Sequence, residues 1–276
     1  MELLWSYYGV IFTLRKSLLI FSSLKNKRKK IMAYKLDEDL EFLQYCDNDS
    51  LGLLVETLTT DKDGKKRISE ELTKQSKYKR HYPNHNMYWE EIAEEIQKFG
   101  GNSFVNIFRG SGVKYKEILC DVCDKMKVNY NKNSDVLVIE QNLLMKILEE
   151  ALEKMSEDDI KEIVKELNLN TTNFTSQATM AALQIAIKKS GFLAYKIALI
   201  VANAIAKALL GHGLKLATNA TITRSVAIFA GPIGWVITGI WTAIDVAGPA
   251  YRVTIPTVIQ IAYLRQAYIN RAQLIS

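Results

Sequence analysis

Residues 225–264 constrain this chain more than any other stretch. They read SVAIFAGPIGWVITGIWTAIDVAGPAYRVTIPTVIQIAYL, with Asp245 and Arg252 as their only formal charges. The run from 225 to 244 is 20 residues without a charge, flanked by Arg224 and Asp245. That matches the ~20 apolar residues a membrane-spanning helix needs. Small residues recur four apart within it: Ala227 and Gly231, Ala230 and Gly234, Gly239 and Ala243, Ala243 and Ala247. This spacing lets helix backbones approach closely, and Gly231, Gly234 and Gly239 are the expected contact points. Gly231-Pro232 and Gly248-Pro249 interrupt the tract where an unbroken span would not. Three fates are open to it: contact with lipid, burial as the central helix of a soluble bundle, or an oligomer interface.

Charge is distributed to match. The chain has 276 residues and a net charge of +6, long enough for one large or two modest domains. Residues 1–31 supply that whole excess through seven Lys/Arg and one acid. Residues 32–174 are net −8 and residues 175–276 net +8. The division predicts an acidic helical domain over 32–174 and a basic, apolar helical domain over 175–276 that meets anionic lipid or an acidic surface. A basic total is therefore poor evidence for nucleic-acid binding, which is not expected. Three cysteines, Cys46, Cys120 and Cys123, fit a reducing compartment. The expected location is the cytoplasmic side, peripheral to the inner membrane or conditionally inserted in it.

Residues 1–31 fit no targeting pattern, because Glu2 leads and Arg15-Lys16 splits two apolar runs ahead of the basic cluster at 25–30. They read as a doubtful extension, with Met32 as a candidate natural start. The other reading is a membrane-surface anchor.

From Met32 onward the pattern is helical and the fold class is all-α. Leu36, Leu40 and Leu43 share a face of a first helix. Asp49 or Ser50 caps a second, and Asp61 to Gly64 forms a turn. Ser69 opens a third helix, interrupted at Tyr82-Pro83-Asn84. Asn86 caps a helix over 87–98 that stops at Gly100-Gly101. Residues 113–128 and 135–155 continue the series, and Ser156 with Asp159 forms a capping-box pair for the helix that follows. The polar stretch 168–176 is the expected hinge. One long apolar helix then runs from 177 to 210, with Lys189, Lys196, Asn203 and Lys207 on one stripe. A cationic stripe on an apolar cylinder suits a helix lying in a membrane interface, and equally a core helix with one wet edge.

Two sets of strings carry a resemblance. YKLDEDLEFLQYCDNDSLGLLVETLTTDKDG (34–64) is similar to a short N-terminal bacterial domain of unknown function. FGGNSFVNIFRGSGVKYKEILCDV (99–122) and GPAYRVTIPTVIQIAYLR (248–265) resemble the YaaW-like bacterial family. That family is distantly similar to the ubiquinol–cytochrome c chaperone domain, which implies a helical assembly factor for a membrane complex. The resemblance transfers no catalytic residues.

Other candidate chemistry is thin. Cys120 and Cys123 have metal-ligand spacing and His81 with His85 offers a second pair, but the cysteines sit in an amphipathic helix, where buried thiols are the default. Residues 59–70 imitate a calcium loop, yet Thr59 stands first and Lys65, Lys66 and Arg67 oppose a cation. Gly110 and Gly112 meet neither phosphate motif; Arg109 and Tyr115 beside them form a candidate polar contact site, with core hydrogen bonding as the favoured alternative. The basic-aromatic run 74–89 lies in the acidic half, which repels phosphate. No catalytic set, metal or cofactor is assigned. The leading expectation is a non-enzymatic helical protein that joins a membrane or membrane complex through its C-terminal half, with homo-oligomers open. The alternatives are a soluble assembly chaperone with that half as core, and a small-molecule enzyme.

Overall fold

The computed structural model of the chain describes residues 34–61, 63–101, 113–213, 220–244 and 250–272, with side chains described at 227–239 but not elsewhere in 220–244. The extension over 1–31, Arg109, Gly110 and Gly112 lie outside the described residues. The all-α expectation holds. The helices are α1 (Asn48–Thr59), α2 (Ser76–His81), α3 (Trp89–Gly101), α4 (Tyr115–Lys125), α5 (Val136–Leu152), α6 (Glu157–Glu166), α7 (Ser176–Lys189), α8 (Gly191–Leu210), α9 (Ala220–Ile244) and α10 (Tyr251–Ile269). Short 3-10 turns fall at Glu41–Tyr45, Leu72–Lys74 and His85–Tyr88. Among the described residues the only β pairing is an isolated bridge between Thr60 and Lys66.

Helix α10 is the axis. From Val253 to Leu264 every residue is buried, and the helix packs against α1, α3, α4, α5, α8 and the 3-10 turn at Glu41–Tyr45. A helix covered on all sides carries no unmet charge on any side, which accounts for the uncharged residues 253–264 at the end of the tract, whereas the run over 225–244 belongs to α9. Residues on either side of position 174 share one continuous apolar core.

Arg265, near the end of α10, carries the one charge this axis brings inside. Its Nε donates to both carboxylate oxygens of Glu140 on α5, at 3.1 and 2.9 Å. Its Nη2 donates to the Asp39 carbonyl at 2.7 Å, and the guanidinium stacks 4.4 Å from the Phe42 ring centroid. Tyr115 Oη donates to the same Glu140 at 2.7 Å. Burial pushes the Glu140 carboxyl upward, and Arg265 with the Tyr115 hydroxyl restrains it. Asp37 closes the circle: its Oδ2 accepts the Tyr115 N–H at 2.6 Å. It thus caps the N-terminus of α4, whose own N-cap residue, Lys114, makes no side-chain cap.

Several local expectations are corrected. Leu36 does not share a buried face with Leu40 and Leu43; it is 69% exposed, because Asp37 turns inward to cap α4. Asp47, not Asp49 or Ser50, caps α1, accepting the Ser50 N–H at 2.8 Å. Ser69 opens no helix, and Asn86 lies inside a 3-10 turn ahead of α3. The helix expected over 177–210 is two helices. Ser190 is extended at φ −142°, ψ 110°, at a Ser-Gly pair that propagates helix poorly. Lys189 therefore ends α7, whereas Lys196 and Lys207 belong to α8, and Asn203 is buried rather than on a wet stripe. The Ser156–Asp159 capping box forms as expected, with both reciprocal bonds present.

Two outcomes follow. Arg265→Leu leaves Glu140 buried without its counter-charge and should cost roughly 3–5 kcal/mol in chemical denaturation at pH 7. Adding Glu140→Leu should recover a large part of that loss. Glu95 on α3 supplies the pH dependence. Burial pushes its carboxyl up to about 7, against the pull of Lys98. The fold holds this proton more tightly than the unfolded chain does, so the stability is complete below the ordinary glutamate value and is lost as pH rises through about 7, a loss on the order of 3 kcal/mol. Glu95→Gln should raise the thermal midpoint at pH 8 and leave it nearly unchanged at pH 5.

Candidate functional site

Two solvent-facing features stand out from this core. The first is a cleft of about 730 Å³ along α1. One stripe of α1 lines it, Asp49, Gly52, Leu53, Glu56, Thr59 and Thr60, a set at helical spacing. The facing wall comes from Tyr78, Tyr82 and His85, and His212 and Gly213 close one end.

Asn48 fixes that wall. Its Nδ2 donates to the Pro83 carbonyl at 2.8 Å, and its Oδ1 accepts the His85 N–H at 2.6 Å. His85 is 7% exposed, and its Nδ1 bonds Tyr88 Oη. The Tyr88 hydroxyl has no other acceptor among the described residues. It therefore donates to Nδ1, and the ring proton sits on Nε2. Burial pulls His85 below the ordinary histidine range, only partly opposed by Asp49, so the ring is neutral at pH 7. Nε2 has no partner among the described residues. It points over Gly52, where an added Cβ would stand 3.1 Å from it. At the other end His212 Nε2 meets Glu56 Oε1 at 3.1 Å, which joins the end of α8 to α1.

The second feature is the outer face of α9. Phe229, Ile233, Val236 and Ile237 are buried, and α9 packs on α8, α5 and α6. On the opposite face Ala227, Gly231, Thr238 and Gly239 are exposed and Trp235 is 62% exposed. Over 227–239 the helix is thus two-sided in burial but uncharged on both sides. The Thr238 hydroxyl donates back to the Gly234 carbonyl at 2.8 Å, so its hydrogen is satisfied within the helix.

The residues singled out from sequence scatter. Among the described residues nothing lies within 4 Å of where a Cβ would stand on Gly231, Gly234 or Gly239. Lys189 and Lys207 are exposed, and Lys196 lies 5.5 Å over the Phe192 ring. Tyr115 is fully buried. Its hydroxyl makes a core hydrogen bond to Glu140, the core hydrogen-bonding alternative for this residue. Cys123 is buried, and burial pushes its thiol up to about 12. Among the described residues no three His, Cys, Asp or Glu converge as metal ligands. Among the described residues one helix is long and apolar enough to cross a membrane, α8, and 78% of its apolar window is buried; of the expected 225–244 run only 227–239 is described with side chains, and it is a shorter apolar helix. Spacing along the chain pairs His85 with His81, not with His212. The convergence of His85 and His212 on α1 depends on contacts 37 and 156 residues apart.

A helical body with these two faces falls in a known class. Residues 84–259 match the family model described as ubiquinol-cytochrome C chaperone, and residues 34–68 match a domain of unknown function, DUF3944. A UPF0174 protein of Helicobacter pylori (strain J99) is 54% identical over 235 residues, spanning 85% of this chain and 93% of that protein. The UPF0174 protein YaaW of Escherichia coli (strain K12) is 33% identical over 238 residues, spanning 84% and 95% respectively. The chain belongs to the UPF0174 family. No solved structure matches it.

The cleft chemistry has a direct check. Nitrogen NMR at pH 7 should find His85 neutral with its proton on Nε2, and Tyr88→Phe should shift the ring toward a mixture of tautomers. A doubly protonated His85 at that pH would contradict the assignment.

Proposed function

We propose that this is a non-enzymatic, chaperone-type helical protein that works at the cytoplasmic face of a membrane and docks there through the outer face of α9. The observation that carries the reading is the pairing of Trp235 with Gly231 and Gly239 on an exposed, uncharged helix face whose other side already serves the core. A large aromatic beside small residues suits an interface that is apolar below and wet above. The exposed lysines of the C-terminal half, Lys188, Lys189 and Lys207, supply charge for anionic headgroups, each worth about 1 kcal/mol near such a surface. The match to the ubiquinol-cytochrome C chaperone family supports a role in assembly rather than chemistry. It also favours a second reading, in which the α9 face shields an apolar helix of a membrane-complex subunit before that subunit is assembled.

Co-sedimentation of the full chain with phosphatidylglycerol-containing vesicles tests the first reading. Wild type should pellet with the vesicles, and Trp235→Glu should lower the partition coefficient by about tenfold or more, given the cost of placing a carboxylate in the interface. Trp235→Phe should retain most of the binding. A wild-type chain that stays in the supernatant at low salt overturns the membrane reading. If the same chain prevents aggregation of a synthetic transmembrane helix, and Trp235→Glu does not, the second reading stands in its place.

A further inference from the structure

The cleft along α1 is used by neither the core nor the α9 face, and its chemistry is specific. Its floor runs from Asn48 to Thr60, about 18 Å at 1.5 Å per helical residue. That length matches roughly five residues of extended chain. Two carboxylates, Asp49 and Glu56, stand two turns apart on the floor, about 10 Å along the axis. Glu56 uses Oε1 for His212 and has no partner on Oε2 among the described residues. Tyr78 and Tyr82 stand opposite with ring centroids 5.2 Å apart, and Tyr82 is 59% exposed. Carboxylates facing aromatic rings select organic cations. Between them His85 lines the cleft with its Nε2 over Gly52 and with no partner on Nε2 among the described residues, so its Nε2–H is available to an acceptor oxygen. Gly52 leaves it reachable, since any side chain there would crowd Nε2.

We propose that this groove binds a short extended peptide segment of a partner protein, with a lysine or arginine side chain held between the acidic floor and the tyrosines and a peptide carbonyl accepting from His85 Nε2. A bare amine satisfies the carboxylates but not the histidine or the length of the floor. An anionic ligand satisfies the histidine and is repelled by Asp49 and Glu56. The site is built from α1 and residues 78–85, so it stands whether or not α9 meets a membrane.

The test titrates the full chain with acetyl-Gly-Lys-Gly-Lys-Gly-amide by calorimetry, with lysine amide and the norleucine counterpart as comparisons. The lysine peptide should bind, and the norleucine peptide should bind about tenfold more weakly or not at all. Glu56→Gln and Tyr82→Ala should each weaken binding about threefold to tenfold, and Gly52→Ala should weaken it at least as much by crowding His85. Tyr82 is exposed and Glu56 lies at the surface, so those two variants decide the matter if Gly52→Ala lowers the melting temperature. Failure of the lysine peptide to bind, equal affinity for the norleucine peptide or for lysine amide, or unchanged binding in both Glu56→Gln and Tyr82→Ala overturns the proposal.

Discussion

The contact between Arg265 and Glu140 sets the terms for the rest of the molecule. A guanidinium buried at the end of an otherwise apolar axis is tolerated only where its charge and its donors are met. Here they are met by groups from two parts of the chain distant from it in sequence. Glu140 comes from α5, the Asp39 carbonyl from the segment before the first 3-10 turn, and the Phe42 ring from that turn. Each supplies something the others cannot, so α10 has one depth and one rotation at which all are satisfied. Apolar packing alone, being non-directional, would not fix that register for a helix buried on every side. Tyr115 extends the circuit to α4, and Asp37 ties the start of α4 back to the same N-terminal segment.

This arrangement explains how a chain so apolar toward its C-terminus holds together as one core. Two of its three last helices spend their apolar surface inward. Helix α8 is buried along most of its length, and α10 along nearly all of it. Their composition passes for that of a membrane span because a fully enclosed helix and a lipid-bathed one face the same requirement, the absence of unmet polar groups. Sequence by itself cannot separate the two, since the deciding quantity is what lies outside the helix. The match of 34–68 to a separate family domain fits the same picture. That segment contributes Asp37, Asp39 and Phe42 to a circuit completed more than 200 residues later.

What could be read from the sequence follows the range of the interaction. The capping box at Ser156 and Asp159 and the turn at Asp61 to Gly64 are made by neighbours, and both form as expected. The helix over 113–128 was legible from the periodicity of Ile118, Leu119, Val122 and Met126, all buried. Asp37 was not legible as the cap of α4, because the partners lie 78 residues apart and its local sequence, Asp-Glu-Asp ahead of leucines, looks like an ordinary helix start. Ser190 was missed for the opposite reason. Apolar residues continue across it, and only a Ser-Gly pair marks the break. The cleft combines both difficulties, since Asn48, His85, Glu56 and His212 acquire a common purpose only after α1 and the end of α8 are brought together.

Among the described residues the outer face of α9 is an apolar surface that folding does not account for. The inner residues Phe229, Ile233, Val236 and Ile237 already seat the helix on α8, α5 and α6, so the fold asks nothing apolar of positions 227, 231, 235 and 239. A helix under no constraint but solubility would place charged or strongly polar residues there, as the outward positions of α6 do. Instead the positions hold Ala227, Gly231, Trp235 and Gly239, and the Thr238 hydroxyl hydrogen is engaged internally. Gly231 and Gly239 weaken the helix relative to alanine by up to about 1 kcal/mol each, and no neighbour among the described residues requires the space they leave. Smallness beside one large aromatic is what a closely approaching apolar surface selects, and the proposed docking role rests on that cost being accepted on an exposed face.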